Sequence, residues 1–520
     1  LNDIPSAIAA TDPFEVAFHK IILDKADLKF SDKRQTAIET IHTPELSVTL
    51  EGFQYPQNAV LNADHMLYAD DVTLNVKNFQ PSMTNGDALF ISQLDFNKKN
   101  ALIYIDTLSF DQASGATSAL LSSIRIVGLD LHAYLNEHRL KLDSIEFVAA
   151  TVSLDQKGPK KDKEGNKSAL PESIDIGYFS SLETEIEFSD SLNTYAVHKG
   201  NVEVQGFFVE GKIIWDRFFN YAQFASVGGE DLTLPLGDGY RLNIDQYDLQ
   251  HPKNQLTLDN VNFTSDFTAD EYSSNLAFQK DWFNVSVDGI TFSGSDFNRS
   301  FSEQEFYVEK ILLDGLNALV YRDKSVPFKS IEKDLPQTLL RKIKHWIYID
   351  TLQVKGDITY QEKPPKKEEV AEISFNNLDA FLFNITSVDS MATKSMRLIS
   401  KGQLADTANF EISVMFDMHD PQDRFVFTGQ LDSLQLSALN KLLRPVGSVI
   451  IKDGFAEQIW FNIKGNKEIA TGKMNFRYEN LKVQILNPET NDLQGLNQGI
   501  KTFFANTFIL KHKNPSFLFL

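Results

Sequence analysis

The sequence predicts a mostly β protein: an elongated, repeating antiparallel β-sheet with a few short amphipathic helices. Apolar and polar residues alternate along many short stretches, which is the period of a strand with one apolar face. Connections rich in Asn, Asp, Gly and Ser separate these stretches, and such residues favour chain reversals. The clearest predicted strand extends from Phe410 to Met418. Both patterns are typical of a strand meander rather than a helical protein.

Two short sequence motifs recur in the same order along the chain. Ile103–Leu108 is repeated letter for letter as Ile347–Leu352, and Lys20–Asp24 resembles Lys310–Asp314. Chance rarely preserves both motifs and their order, so this internal sequence repeat favours repeated structural units. The spacing differs between the copies, which indicates degenerate duplication. A sheet that grows lengthwise by repetition follows from this pattern.

The part from Asp423 to Leu486 is a meander whose strands each have one apolar face. Together with the strand that begins at Phe410, it defines a candidate working face. The residues of this face are Phe410, Ile412, Val414, Phe416, Phe425, Phe427, Ile459, Phe461, Ile463, Met474, Phe476 and Tyr478.

We expect two regions in the chain. Residues 1–300 form an N-terminal repeating β region with a Lys-rich, solvated loop at about 156–167, and residues 301–520 form a C-terminal β region. Helices are predicted near 335–346, 437–443 and 493–508. Pro445 is expected to stop the second of them, because proline lacks the backbone donor that a helix needs. The pattern within 212–224 predicts either a further amphipathic helix or, equally, a strand followed by a helix.

The composition narrows the partners of the protein. A formal net charge of −21 argues against nucleic acid, because binding phosphates requires a surface rich in Lys and Arg. The chain has no cysteine, which excludes disulfides, thiolate nucleophiles and Cys-based zinc sites. It has 40 phenylalanines, whose side chains lack a polar group and suit contact with hydrocarbon or with a protein core.

No motif of known chemistry is present in the sequence. The ten histidines are scattered, and no His-Glu-x-x-His or Gly-x-Ser-x-Gly pattern occurs. The glycines at 465 and 472 have the wrong spacing for a phosphate loop. We therefore expect a protein that is not an enzyme and that uses neither a cofactor nor a metal.

Residues 347–510 resemble the C-terminal portion of the AsmA-like superfamily, which includes TamB and its relatives. The likeness rests on a run of strand and turn words at Ile349–Tyr360, Phe427–Leu431, Leu439–Pro445, Lys452–Gly454, Phe461–Asn466, Ala470–Met474 and Tyr478–Val483. Over residues 1–346 the likeness is only generic. The family's N-terminal membrane helix has no counterpart in this chain.

The resemblance implies a sheet curled into a half-open groove with an apolar trough, and it makes the twelve residues of the candidate face lipid-groove candidates. It also implies a periplasmic envelope-biogenesis protein of a Gram-negative bacterium. Such a protein carries phospholipid or other acyl lipid between the inner and outer membranes and has envelope proteins as partners. Because the chain begins at Leu1 rather than Met, we expect that an inner-membrane anchor or leader precedes it.

Two alternatives stay open at this stage. The first is a structural or assembly scaffold of the envelope whose apolar face is filled by its own helices, with no lipid transport. The second is a glycan-binding or adhesive β protein, which is less favoured because the 4 Trp are scattered along the sequence. Whether the apolar face is open or filled separates the lipid-binding protein from the scaffold.

Overall fold

A computed structural model describes the chain at residues 16–31, 38–55, 66–155, 171–189, 194–211, 215–302, 305–329, 334–388, 395–487 and 517–519. The chain forms two compact units. Unit 1 comprises Leu1–Leu232 and Gln250–Pro252, and unit 2 comprises Thr233–Leu249 and Lys253–Leu520. The predicted division at residue 300 lies inside unit 2.

Strands make up 70% of the described residues and helices 10%. The prediction of a mostly β protein with a few short helices is therefore confirmed. The strands are β1 (Val16–Ser31), β2 (Ile38–Tyr55), β3 (Asp71–Met83), β4 (Ala88–Asn97), β5 (Leu102–Asp111), β6 (Thr117–Val127), β7 (Arg139–Asp155), β8 (Ser173–Ser189), β9 (Thr194–Glu210), β10 (Phe224–Gly237), β11 (Tyr240–His251), β12 (Gln255–Ser265), β13 (Trp282–Ser293), β14 (Glu305–Asp323), β15 (Trp346–Lys363), β16 (Ala371–Thr386), β17 (Met396–Leu404), β18 (Ala408–Phe416), β19 (Phe425–Leu431), β20 (Leu434–Gln435), β21 (Val449–Gly465), β22 (Ala470–Ile485) and β23 (Phe517–Phe519).

The described helices are all short. They are α1 (Leu131–Glu137), α2 (Ala269–Ser274), α3 (Phe297–Ser302), α4 (Pro336–Lys342) and α5 (Asn440–Gly447), with 3₁₀ turns at Met66–Tyr68, Trp215–Asn220 and Leu436–Leu439. Three of the predicted helices correspond to α4, to α5 with the turn before it, and to the turn at Trp215–Asn220. The helix predicted at 493–508 and the Lys-rich loop at 156–167 lie outside the described residues.

Pro445 does not stop a helix at Leu443, contrary to the sequence-based prediction. It lies inside α5, which ends at Gly447 with Ser448 in the left-handed conformation as its C-cap. The backbone nitrogen of Ser448 donates to the carbonyl oxygen of Arg444, which closes the helix beyond the proline. A proline in the last turn removes one helical hydrogen bond, and packing against the sheet offsets that loss.

Most consecutive strands of each unit pair antiparallel, and each unit also contains a parallel pair. In unit 1 the parallel pair is β7 and β8, and in unit 2 it is β14 and β15. Parallel neighbours need a crossover connection rather than a hairpin. The β14–β15 crossover contains α4, and the β7–β8 crossover contains the Lys-rich stretch. The sequence predicted only antiparallel pairing, and both exceptions coincide with the long polar or helical insertions.

A line of β-bulges crosses the strands of each unit. Within the strands of unit 1, backbone φ is positive at Lys25, Asn78, Ser123, Ala149, Glu183 and Lys199. Within the strands of unit 2, it is positive at Asn260, Gly315, Gly356 and Asn377. Register shifts accompany several of these positions, as between Leu313 and Leu316 in β14, whereas the pairing of β12 with β13 keeps its register past Asn260. Each bulge inserts one residue and increases the local twist of its strand.

The bulges also switch the parity of the apolar pattern. In β14 the pairing places Ile311 and Leu313 on one face before the bulge, and the buried Leu316 and Ala318 continue after it at even-numbered positions. The extra residue at Gly315 thus keeps apolar side chains on the same face of a 19-residue strand.

The internal sequence repeat corresponds to similar strands but not to equivalent pairs of strands. Lys310–Asp314 and Ile347–Leu352 lie on adjacent strands, β14 and β15, whereas Lys20–Asp24 and Ile103–Leu108 lie on β1 and β5. The first motif retains its local geometry, since Lys25 and Gly315 both follow its aspartate and both have positive φ. The repeated feature is therefore a single strand with its bulge.

We predict that Gly356→Ala destabilises unit 2 by about 2–4 kcal/mol. Gly356 has a φ of 143° at the bulge line, and a Cβ there would collide with the carbonyl oxygen of Leu316. Urea unfolding followed by circular dichroism measures the loss. Gly289→Ala is the matched control, because its Cβ would meet only Asp259 Oδ1 at 3.9 Å. Equal losses in the two variants would show that the bulge line does not constrain the sheet.

Candidate functional site

The candidate site is an apolar face that the register builds across unit 2. Directly paired residues in neighbouring strands share a face, so a row of them can be followed from strand to strand. One row crosses ten strands, from β12 to β22 without β20, and it consists of Leu256, Phe292, Ile311, Leu352, Leu382, Leu398, Val414, Phe427, Ile463 and Gly472. Nine of these residues are large and apolar, and the tenth is glycine. We call the face that contains this row the apolar face of unit 2.

Unit 1 has a similar row on one face of its own sheet. It crosses β1 to β9 and consists of Leu23, Val48, Leu74, Phe96, Ile103, Ile126, Ile145, Phe179 and Val204. At one end of these strands, Met66 and Leu131 pack with Leu74, Phe96 and Ile103 in a small cluster. Each unit therefore carries its own continuous apolar row.

Most members of the two rows are neither buried nor fully exposed. In unit 2 only Ile311 is buried, and in unit 1 only Phe96 and Val204 are. A packed core would bury nearly all such side chains. The apolar rows are thus only partly covered by the described parts of the chain.

The opposite face of each sheet contains a row of mainly polar side chains. In unit 1 the neighbouring row on that face contains Ser47, Asn75, Asp95, Tyr104, Arg125, Glu146, Ser180 and Glu203. In unit 2 one such row contains Lys355, Asp379, Lys401, Glu411, Gln430, Trp460 and Asn475. We call this face of unit 2 the polar face. The two faces therefore differ in polarity along these rows, although other rows on the polar face of unit 2 contain Phe381, Ile399 and Met415.

The twelve lipid-groove candidates all project to the apolar face of unit 2. Ile412, for example, faces Gly429, which faces Phe461, which in turn faces Met474. Phe410 and Tyr478 are buried, with 8% and 7% of their surface exposed, whereas the other ten are intermediate. The candidates thus divide into a closed end and a half-exposed middle.

Two glycines on this face pair with phenylalanines, and the aromatic rings cover them. Gly429 pairs with Phe461, and Gly465 pairs with Phe425. The rings lie directly over the glycines, because a Cβ at Gly465 would come within 2.6 Å of the Phe425 ring, and one at Gly429 would collide with Phe461. Aromatic rings that cover glycines in this way also pin the register. The Phe461 ring additionally contacts Phe427, with 4.8 Å between centroids.

Helix α5 covers one end of the apolar face. Leu434 and Leu436, in the segment that leads to α5, are almost fully buried in a cluster that includes Phe410, Leu431 and Tyr478. Leu439 and Leu443 pack against the same cluster. Asn440 fixes the start of the helix, since its side chain accepts from the backbone nitrogen of Ile451 and donates to the carbonyl oxygen of the same residue. This end of the apolar face is a packed hydrophobic core.

Helix α4 covers the other end. Its Leu340 packs against a cluster built around Ile385, Met396 and Met418. The helix is held by Asp423, which accepts hydrogen bonds from Thr338 and from the guanidinium of Arg341. Arg341 also donates to the carbonyl oxygen of Met418 at 3.0 Å. The middle of the apolar face, around Val414 and Phe427, lies between these two caps.

The Asp423 side chain is only 4% exposed. Burial alone raises the pKa of Asp423, but the hydrogen bonds from Thr338 and Arg341 and the charge of Arg341 outweigh it, so the net pKa lies below its usual value. The clamp on α4 is therefore ionised at neutral pH.

Sequence reasoning missed the part of the row that precedes β18 and the whole row in unit 1. Leu352 and Leu382 belong to the same row as Phe427, yet they lie far from it in the sequence. The alternation of apolar and polar residues within each strand could have identified these residues as members of an apolar face. Their assignment to one face requires the strand register, which local sequence does not give.

Among the described residues, no cluster of three or more His, Cys, Asp or Glu side chains has the geometry to hold a metal ion. No helix in the described part of the chain is long and apolar enough to cross a membrane. Comparison with models of known protein families finds no match to this chain, and comparison with curated proteins finds none either.

We predict that Asp423→Asn lowers the free energy of unfolding by about 1.5–3 kcal/mol at pH 7, because it removes charged hydrogen bonds. The folded-state pKa of Asp423 is lowered, so its contribution is fully present above the unfolded value near 4 and is lost as pH falls through the folded value. Urea unfolding at several pH values should therefore show the gap between wild type and variant shrinking below about pH 4. A gap that stays constant to pH 2 would contradict this account of the clamp.

Proposed function

We propose that this protein binds acyl chains of phospholipid or a similar lipid along the apolar faces of its sheets. In this proposal it works without catalysis as an envelope-biogenesis protein that conducts lipid between two membranes. The observation that carries the proposal is the row of nine large apolar side chains and one glycine across ten strands of unit 2, in which only Ile311 is buried. The periplasmic location, the inner-membrane anchor and the envelope partners rest on the AsmA-like resemblance alone.

Physical chemistry supports an acyl chain as the ligand. Each methylene group moved into water costs about 0.8 kcal/mol, so a 16-carbon chain costs roughly 12 kcal/mol. A half-exposed apolar row offsets this cost while the polar headgroup stays in water. Strands lie about 4.8 Å apart, so a row of ten strands measures roughly 43 Å along the sheet. That length gives an acyl chain a continuous path without any polar residue to cross in the row.

The second candidate function is a structural scaffold whose apolar face is filled by its own chain. The observation that favours it is the cover of the two ends of the face. The segment that leads to α5 packs in the cluster that buries Phe410 and Tyr478, and α4 packs on the separate cluster around Ile385, Met396 and Met418. In that case the half-exposed middle, around Phe427, is packing surface rather than a ligand path. The two candidates differ in what a charge at Phe427 does.

We predict that Phe427→Asp abolishes acyl binding while the protein stays folded. The residue is half-buried at the middle of the row, so the folded state accommodates a carboxylate at a cost of about 1–2 kcal/mol, whereas an acyl chain does not. Binding is measured by titrating a fluorescent fatty acid and by native mass spectrometry of the gently purified protein. Thermal stability is measured on the same samples.

Two control variants make this test specific. Val426→Asp places the same charge one residue away on the polar face, where Val426 pairs with Met415 and Lys464, and should leave acyl binding unchanged. Phe410→Asp should unfold unit 2, because the residue is 8% exposed within the cluster under α5. Unfolding of Phe427→Asp as well, with no lipid recovered from the wild type, would establish the scaffold instead.

A further inference from the structure

The polar face of unit 2 contains a shallow furrow that the acyl-binding proposal does not use. Two adjacent depressions, of about 490 and 250 Å³, share Lys401, Glu411 and Gln430 in their walls. The larger adds a set of carboxamides, and the smaller adds the Trp460 indole. The furrow lies across β16, β17, β18, β19 and β21, on the side of the sheet opposite to the cluster that α5 covers.

We infer that this furrow is a binding site for a neutral oligosaccharide, with Trp460 as the stacking platform and the carboxamides of the furrow as hydrogen-bonding groups. The two kinds of group match the two sides of a sugar. A pyranose ring has a face of C–H bonds that packs on the negatively polarised face of an aromatic ring. Its hydroxyl groups both donate and accept, as do Asn and Gln side chains.

The arrangement of these groups is ordered. Asn377 Nδ2 donates to Gln403 Oε1 at 3.0 Å, and Gln403 Nε2 donates to Asn409 Oδ1 at 3.3 Å. This chain of three carboxamides holds its members in place beside Gln430. Preorganised polar groups lose less side-chain freedom on binding, which favours ligand affinity.

The platform is accessible. Trp460 is 38% exposed, and its strand neighbours Ile459 and Phe461 belong to the apolar face, so the indole projects to the polar face. Lys401, Glu411, Gln430 and Trp460 follow one another across neighbouring strands. At about 4.8 Å per strand this row is roughly 14 Å long, which suits two or three sugar rings.

The charges of the furrow select against acidic sugars. Lys401 Nζ lies 2.8 Å from Glu411 Oε1, so its charge is neutralised within the site. The hydrogen bond and charge of Glu411 raise the pKa of Lys401, which keeps the pair ionised. Asp432 adds a second carboxylate to the wall of the larger depression. A uronate or sulfated sugar would meet net negative charge here.

The test is a titration of the full chain with the trisaccharides of glucose, mannose and N-acetylglucosamine, and with the trimer of galacturonic acid. We expect at least one neutral trimer to bind with millimolar or tighter affinity by calorimetry, and the acidic trimer to bind at least 10-fold more weakly. Trp460→Ala should weaken the binding of the neutral trimer at least 10-fold, whereas Trp460→Phe should retain it within about threefold, since a ring remains.

Trp346→Ala provides the matched control, because Trp346 is 52% exposed on β15 and does not line the furrow. It should leave binding unchanged, and circular dichroism should show that all three variants are folded. Gln430→Ala offers an independent variant if Trp460→Ala fails to fold, with the same expected loss. The assignment would be overturned if no neutral trimer binds. It would also be overturned if Trp460→Ala and Gln430→Ala both bind the trimer as tightly as the wild type does. Phe427→Asp should bind the trimer normally, so this result is independent of the acyl-binding proposal.

Discussion

The structure depends on one constraint, which is that the register of neighbouring strands keeps apolar side chains in line from one strand to the next. A strand of this length would lose that alignment after any irregularity, because a slip of one residue exchanges its two faces. The bulges make such irregularities common to adjacent strands. Gly315, Gly356 and Asn377 lie at the same level in β14, β15 and β16, so all three strands change parity together. The apolar face therefore continues on both sides of the bulge line.

Two short helices, α4 and α5, stabilise the ends of the apolar face that the strand register creates. A sheet with one half-exposed apolar face buries less surface per residue than two packed layers do, so its ends need separate stabilisation. In unit 2 this comes from α5, which closes a dry cluster over Phe410, and from α4, which Asp423 and Arg341 clamp to the turn before β19. Neither cap is needed in the middle of the strands, where cross-strand contacts such as Phe427 with Phe461 hold the face.

The sequence predicted the strands and the residues on one face of each strand, since alternation is local information. The twelve residues chosen between Phe410 and Tyr478 do share a face in the structure. The sequence alone did not give the extent of long strands such as β14, because their alternation changes parity at Gly315. The parallel pairs and the full rows were not predictable, since both depend on partners that are remote in sequence. The carboxamide furrow was missed for the same reason, because Asn377, Asn409 and Trp460 meet only through the register.

A sheet that is not covered by a second layer leaves both faces available for ligands, and here the two faces differ in chemistry. The apolar face offers hydrocarbon contact without hydrogen-bonding groups, and the polar face offers carboxamides, an ion pair and one indole. Because side chains alternate, Val426 and Phe427 are neighbours in the chain yet belong to different surfaces. A substitution on one face therefore leaves the ligand groups of the other in place, provided that the backbone register is kept. The two proposed ligands, an acyl chain and a neutral glycan, can accordingly be bound by the same strands without competing.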